Sequence, residues 1–469
     1  MFTEEGLKRY ILNRIEEYKQ KRDEMRVGID YYNGDHDIMR KTRLAIGAGG
    51  SPVIVENLPN SRIKDNQYKK AVDQKVNYLF SHLPTIKETE GGGLADKLIE
   101  MMDKRFLRTL NKIARDAFNA SIAWLYVYTD GKDMKYKRID PLEVIPIWKD
   151  ANHESLEAVI HTTQRAEYKT DGTREKVEEI SFYTDDGVTI YEKGKNGLHK
   201  VGSRGYIEDG EQWYAFDRIP FVYFKLPTER PLIFEVKSLQ DALNTMLSNF
   251  ADNMLEDPRN TLLVIKNYDG QDLGELRQYI MKYGAIKVEE DQNVKGGVET
   301  LEIKVNHQNY EAILSMIKKS LKDNTRTVDL ENDKGSNPNI LNIQSLYSMM
   351  ELDANQMELE FTASFEYLYH FMRQVYGVTG DADLTFRRNI MVNEESKIDL
   401  VSRSIGYVSN RTALANHPWV DDVDEEISQI DEEKSKRVDG YYNPFEGVGD
   451  DERDGSDGVS PQDRGRYRR

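Results

Sequence analysis

From Leu341 to Tyr376 the chain runs without a glycine or a proline, and this constrains the fold more than any motif does. Both residues interrupt helices, one through backbone entropy and the other by removing a donor, so the run predicts one long helix. At about 1.5 Å rise per residue it would span roughly 45–50 Å. The segments before it complete a particular order. Glu235–Leu255 places Leu239, Leu243, Met246, Phe250 and Met254 on one helical face. Asp257-Pro258 ends that helix, because proline also disfavours helix in the residue before it. Strand-like Asn260–Lys266, a short helical stretch at Leu273–Tyr283, and strand-like Ala285–Glu289 and Val298–Val305 form a small α/β insert. Helix resumes over Asn306–Thr325, with Tyr310, Ile313, Leu314, Ile317 and Leu321 on one stripe. A polar stretch, Leu330–Asn339, broken by Gly335 and Pro338, reads as an exposed loop.

A helical hairpin capped by a small insert is elongated and buries little by itself. Its apolar stripes need partners, supplied either by the same chain or by neighbouring copies. Pattern alone leaves both open: an ordinary helical domain with a β insertion, or one subunit of an assembly.

The 469 residues are 31% charged and 10% aromatic, which describes a folded chain with polar surfaces. Cysteine is absent, excluding disulfides, thiolate catalysis and thiolate metal sites. No stretch approaches 18 apolar residues, and Met1–Arg22 is charged and helical rather than a signal peptide. The formal net charge of −17 argues against a general nucleic-acid binder, since such proteins gain affinity by neutralising phosphates.

Upstream, Thr3–Arg26 reads as an amphipathic helix with Leu7, Ile11, Ile15 and Tyr18 inward, and Glu4 and Glu5 favour its dipole. Tyr31–Ile38 reads as a turn in which Gly34 supplies a backbone angle other residues resist. Ile63–Phe80 and Leu94–Ser121 read as helices, with Gly91-Gly92-Gly93 as a hinge between them. From Ile122 the period changes to that of strands: Ile122–Thr129, Lys135–Ile139, Glu157–Arg165, Lys176–Thr184, Val188–Lys193 and Trp213–Lys225. Asp130-Gly131, Asp171-Gly172, Asp186-Gly187 and Asn196-Gly197 mark turns among them. Residues Asp381–Arg437 read as a small helical domain with an acidic run from Asp421 to Glu433. From Asn443 onward apolar residues are too few to offset ordering entropy, so the tail reads as disordered, with a basic end at Arg464–Arg469.

Chemistry is hard to find. The glycine-rich Ala45–Ser51 lacks the spacing and the Lys-Ser/Thr of a phosphate-cradling loop. His153-Glu154 has no second histidine at helical spacing. His36 between Asp35 and Asp37 suggests a metal corner, but turn chemistry explains it better. The expectation is a protein that is not an enzyme and has no catalytic residue, cofactor or metal.

The ordered set of short segments resembles portal proteins of tailed bacteriophages, the head-tail connector family of siphophages with a Tyr-Tyr-x-Gly-x-His motif. Here the motif is Tyr31-Tyr32-Asn33-Gly34-Asp35-His36. Leu58–Ile63, Val72–Phe80, Asp140–Pro146, Leu255–Asp257 leading into Leu262–Gly270, Leu384–Asn389 and Ser404–Ser409 follow in order. The resemblance covers about residues 5–435. It implies an α+β, elongated protomer: wing over 1–234, stem helices over 235–256 and 306–325, clip over 257–305, tunnel loop over 326–340, long wing helix over 341–376, helical crown over 377–440, and a tail over 441–469. It further implies a homo-oligomeric ring, usually of twelve, at one capsid vertex of a virion assembled in the bacterial cytoplasm. Viral double-stranded DNA would be packaged and ejected through it without sequence specificity.

The implied partners are the terminase large subunit, head-completion or adaptor proteins, scaffold and major capsid protein, with no membrane. In this reading Asp329, Glu331, Asp333, Lys334, Asn337 and Asn339 face DNA from the tunnel loop. Lys266, Asn267, Tyr268, Asp272, Arg277 and Lys282 form the clip's docking surface. The alternative is a non-enzymatic cytosolic helical adaptor, monomeric or dimeric.

Overall fold

The computed structural model describes residues 3–46, 51–54, 58–131, 133–168, 172, 174–209, 212–256, 261–266, 297–302, 307–328, 340–388, 394–420 and 423–438. The fold is mixed helix and sheet, and the chain divides into two compact units. The larger comprises Met1–Pro338 and Asn342–Met391; the smaller comprises Asn339–Leu341 and Val392–Arg469.

The larger unit opens with helices α1 (Glu4–Glu17) and α2 (Lys19–Asn33). The sequence predicts one helix here; the structure interrupts it at Tyr18, whose flattened ψ of −4° breaks the regular ladder. The inward stripe is as expected, with Ile11 fully buried and Leu7, Ile15 and Tyr18 packed around it. The expected turn at Tyr31 begins later, because Tyr31–Asn33 is still the last turn of α2. Gly34 caps that helix at φ +90°, a left-handed conformation that glycine adopts without penalty.

A two-stranded hairpin follows, β1 (Leu44–Ile46) with β2 (Pro52–Ile54), and then α3 (Gln67–Phe80). This helix starts four residues later than the sequence predicts, with Asn66 as its N-cap. Beyond it come β3 (Thr85–Glu90), α4 (Leu94–Met101) and α5 (Lys104–Ala120). The single helix expected over Leu94–Ser121 is thus two, because the Asp103 carboxylate accepts from the Arg105 and Phe106 amides and starts a new one.

The strand-rich part contains β4 (Ile122–Asp130), β5 (Asp133–Ile139), β6 (Val144–Trp148), β7 (Leu156–Tyr168), β8 (Arg174–Thr184), β9 (Gly187–Gly194), β10 (Gly197–Arg204), β11 (Ile207–Asp209), β12 (Gln212–Tyr214) and β13 (Phe221–Lys225). Strands β10-β9-β8-β7-β6 form one antiparallel sheet and β13-β4-β5 another. Alternation assigns the faces of the five-stranded sheet: Ile145, Ile147, Ala158, Ile160, Ile180 and Phe182 pack under α1, while Val144, Val159 and Tyr183 join the main core. The expected strand Trp213–Lys225 is two short strands, and β6, β10 and β11 were not anticipated.

Helix α6 (Ile233–Glu256) stops where Asp257-Pro258 predicts. Strands β14 (Thr261–Lys266) and β15 (Gly297–Glu302) pair antiparallel, and α7 (His307–Thr325) returns alongside α6, with Phe250 against Tyr310. Expected elements at Leu273–Tyr283 and Ala285–Glu289 lie outside the described residues. The long helix is α8 (Ile340–Tyr376), 37 residues. Its second half crosses the main core, where Phe361 meets Phe80 and Phe224, and Phe365 meets Phe106.

Strand β16 (Asp381–Thr385) then pairs antiparallel with β3. This corrects the reading of 381–437 as wholly helical. It also recasts the glycine hinge: the Thr379 amide donates to the Gly92 carbonyl, and a Cβ on Gly92 would lie 2.3 Å from the Thr379 carbonyl carbon. Gly92 is where two backbones must touch.

The smaller unit contains α9 (Glu394–Ser404), α10 (Asn410–Ala415) and α11 (Val423–Val438). Arg411 clamps Asp424 through two bonds of 2.7 and 3.0 Å. Tyr407 and Trp419 are 91% and 72% exposed, so these two aromatics contribute little to a core of the unit's own.

Candidate functional site

Helix α6 does not bury the face its sequence suggests. Of the five residues on the expected stripe only Leu243 is fully buried, and Met254 is exposed. The deeply buried positions from Gln240 onward include Gln240, Asn244, Ser248 and Asp252, none more than 3% exposed. They recur every fourth residue, about 6 Å apart along the axis.

Opposite them runs the extended segment 61–66, leading into α3. Two residues of extended chain advance about 6.6 Å, so alternate amides of one meet successive turns of the other. The Ser61 amide donates to Asp252 Oδ1 at 2.6 Å, Ile63 to Ser248 Oγ at 2.9 Å, and Asp65 to Asn244 Oδ1 at 3.0 Å. The Tyr68 amide closes the series on Gln240 Oε1 at 3.1 Å, and Gln240 Nε2 donates back to the Asp65 carbonyl. One helix face thus substitutes for a neighbouring strand. The extended conformation that meets α6 runs to Asp65, so α3 begins only after it.

The Tyr-Tyr-x-Gly-x-His segment braces the same ladder. His36 is fully buried and stacks on Tyr31, with ring centroids 4.6 Å apart. Its Nε2 lies 2.9 Å from the Tyr31 carbonyl, an acceptor only, so Nε2 carries the proton. Its Nδ1 is left to accept from Asn244 Nδ2 at 2.8 Å. Burial lowers the His36 pKa, which favours this neutral form. Both ring nitrogens are therefore occupied, and Asp35 and Asp37 pair with Arg40 and Lys237. The metal corner is a structural brace.

Ionic ties bind the ladder at both ends. Lys41 Nζ reaches Asp252 at 3.0 Å and Asn249 at 2.9 Å. Burial pushes the Asp252 carboxyl up, but bonds from Ser61 and Lys41 outweigh this and hold its pKa below normal. Lys318 of α7 pairs with Asp65 at 2.9 Å, so the second helix of the hairpin is tied to the same segment.

A second cluster sits where α7 ends. Gln74 of α3 grips Val328 through both amide groups, accepting from its N–H and donating to its C=O at 3.1 and 3.2 Å. Asp353 of α8 accepts from Lys75 and from Arg326, the latter at 2.7 Å. Burial lowers the Lys75 pKa, and Asp353 opposes the shift. Arg388 bonds Glu351, Asn355 and Glu358 along the same helix. The chain therefore leaves α7 from a fixed point, Val328, held against α3.

The residues expected to face DNA, Asp329, Glu331, Asp333, Lys334, Asn337 and Asn339, lie outside the described residues. So do Asn267, Tyr268, Asp272, Arg277 and Lys282 of the expected docking surface. Lys266 is the last residue of β14, its backbone paired with Gly297. Gln240, Asn244, Ser248, Asp252, Lys75 and Asp353 escape sequence reasoning. The four-residue polar repeat on α6 is the one signal that could have found the ladder. Among the described residues no group of three or more His, Asp or Glu could hold a metal ion, and no helix is long and apolar enough to cross a membrane.

Comparison with known proteins covers nearly the whole chain. A model of the family described as "Phage portal protein, SPP1 Gp6-like" matches residues 12–440. The portal protein of Clostridium phage phiCD119 is 27% identical over 443 residues, covering 91% of this chain and 96% of that protein. The portal protein of Bacillus phage SPP1 is 25% identical over 447 residues, covering 91% and 86% respectively. The chain therefore belongs to the SPP1 Gp6-like family of phage portal proteins.

Proposed function

We propose that this protein forms a ring, of about twelve copies by family analogy, at one vertex of a phage head, through which double-stranded DNA enters and leaves. The family match across residues 12–440 carries this reading. Helices α6 and α7 form the stem, the segment containing β14 and β15 forms the clip, residues 326–340 form the tunnel loop, and residues 377–440 form the crown. The clip takes the terminase motor first and head-completion proteins later, while scaffold and major capsid protein surround the wing. Apolar side chains left exposed in one chain support shared faces: Ile313 and Met316 on α7, and Met349, Leu352 and Leu359 on α8.

The net charge of −17 is compatible with passage rather than retention, because acidic walls repel phosphate while scattered lysines give brief contacts. In the tunnel loop Lys334 supplies such a contact, and Asp329, Glu331 and Asp333 weaken the grip. The chemistry required is docking and conduction, so no catalytic group is assigned.

Native mass measurement tests the assembly. A species of several hundred kilodaltons is expected; one at the 54.3 kDa of a single chain, or twice that, rejects the ring in favour of an adaptor. Deleting 332–339 should leave assembly intact and impair DNA packaging or retention. Unchanged packaging and retention would remove the loop's assigned role.

A further inference from the structure

The cluster at the end of α7 borders a cleft of about 190 Å³ that none of the roles above uses. Leu79 of α3, Phe118 of α5 and Met350 and Met357 of α8 form its apolar wall. Each of the four is 6% exposed or less. Lys75 lies in the same lining with its side chain 4% exposed. An ammonium has three N–H donors. Among the described residues the one partner of Lys75 Nζ is Asp353, leaving two donors unmet in a nearly dry setting. Such donors are costly to bury unless something accepts from them.

Charge narrows the occupant. The lining contains three cations, Lys75, Arg230 and Arg326, against two anions, Glu235 and Asp353. One negative charge balances it. Arg230 and Arg326 are exposed and can turn their N–H groups to water, so the buried group short of acceptors is Lys75. Size narrows it further, since an apolar cavity of about 150 Å³ admits benzene.

We propose that this cleft binds a small carboxylate with an apolar body, of the benzoate class, its carboxylate on Lys75 and its body between Leu79, Phe118, Met350 and Met357. The site lies between the last turn of α7 (Asn324 and Thr325) and the middle of α8 (Met350–Met357). An occupant touches both helices and opposes their separation. All of the lining belongs to one chain, so binding does not require the ring.

Sodium benzoate titrated into the full-length assembled protein tests this, with methionine methyls labelled and observed by NMR. Benzyl alcohol serves as the neutral control, at constant ionic strength. The Met350 and Met357 signals, identified by single Met→Leu replacements, should shift and saturate with benzoate. Affinity should fall at least tenfold for benzyl alcohol and for Lys75→Met. Should Lys75→Met fail to fold, Ala354→Leu, which fills the cleft and removes no charge, should abolish the shifts. Equal response to benzyl alcohol, shifts that never saturate, or saturable shifts confined to other methionines would overturn the site.

Discussion

Asn244 shows how much one side chain can hold at once. Its carbonyl oxygen accepts from the Asp65 amide and from Gln240, while its amide nitrogen donates to His36. None of this follows from an asparagine in the middle of an amphipathic helix, which reads as solvent-facing until residues 61–66 are known to lie against it. Replacing Asn244 by leucine would strand the part-buried Asp65 amide and the buried His36 Nδ1. At about 1–3 kcal/mol per unsatisfied group, the loss should be roughly 2–6 kcal/mol. Urea-unfolding midpoints at one protein concentration check this, with exposed Thr245→Leu expected to change stability by less than about 0.5 kcal/mol. Equal midpoints for the two variants would show that the ladder contributes little.

At the scale of elements, the helices and most strands of the larger unit are readable because each carries its own period. The β3–β16 pair is not. Thr85–Glu90 is a charged hexapeptide whose partner lies nearly 300 residues onward, and neither strand has an apolar run to announce it. Burial is shallow on β3 and alternates on β16, where Ala382 and Leu384 turn inward. What seats the pair is the close contact at Gly92 and the Arg373 guanidinium, which donates to the Gly380 carbonyl at 2.8 Å. Gly92→Ala should push Thr379 away and cost about 1–3 kcal/mol, as overpacking does. Hydrogen exchange should then quicken at 85–90 and 381–385 while α5 stays protected. Unchanged exchange there would mean that the contact relaxes without cost.

The long helix joins two environments. One face, from Tyr347 and Met350 to Phe371, packs into the main core, whereas Met349, Leu352 and Leu359 remain exposed, Leu359 by 74%. Among the described residues nothing covers these side chains, and the proposed ring would use them as a shared face. Leu359→Glu is accordingly expected to shift native mass from the several-hundred-kilodalton species toward single chains, with far-ultraviolet circular dichroism unchanged. Full assembly of the variant would place the shared face elsewhere on the molecule.

For the whole molecule, the amino-acid sequence by itself determined the order of the main helices and strands, the stop at Asp257-Pro258, the long helix and the portal family. These depend on local propensity, breakers and motif order, all of which can be read along one dimension. Only the tertiary structure decided which face of α6 is buried, what His36 is for, and how Lys75 finds Asp353 across 278 residues. Those are pairings between polar groups distant in sequence. A polar residue looks the same in sequence whether it faces water or a buried amide, and only the fold brings that amide to it.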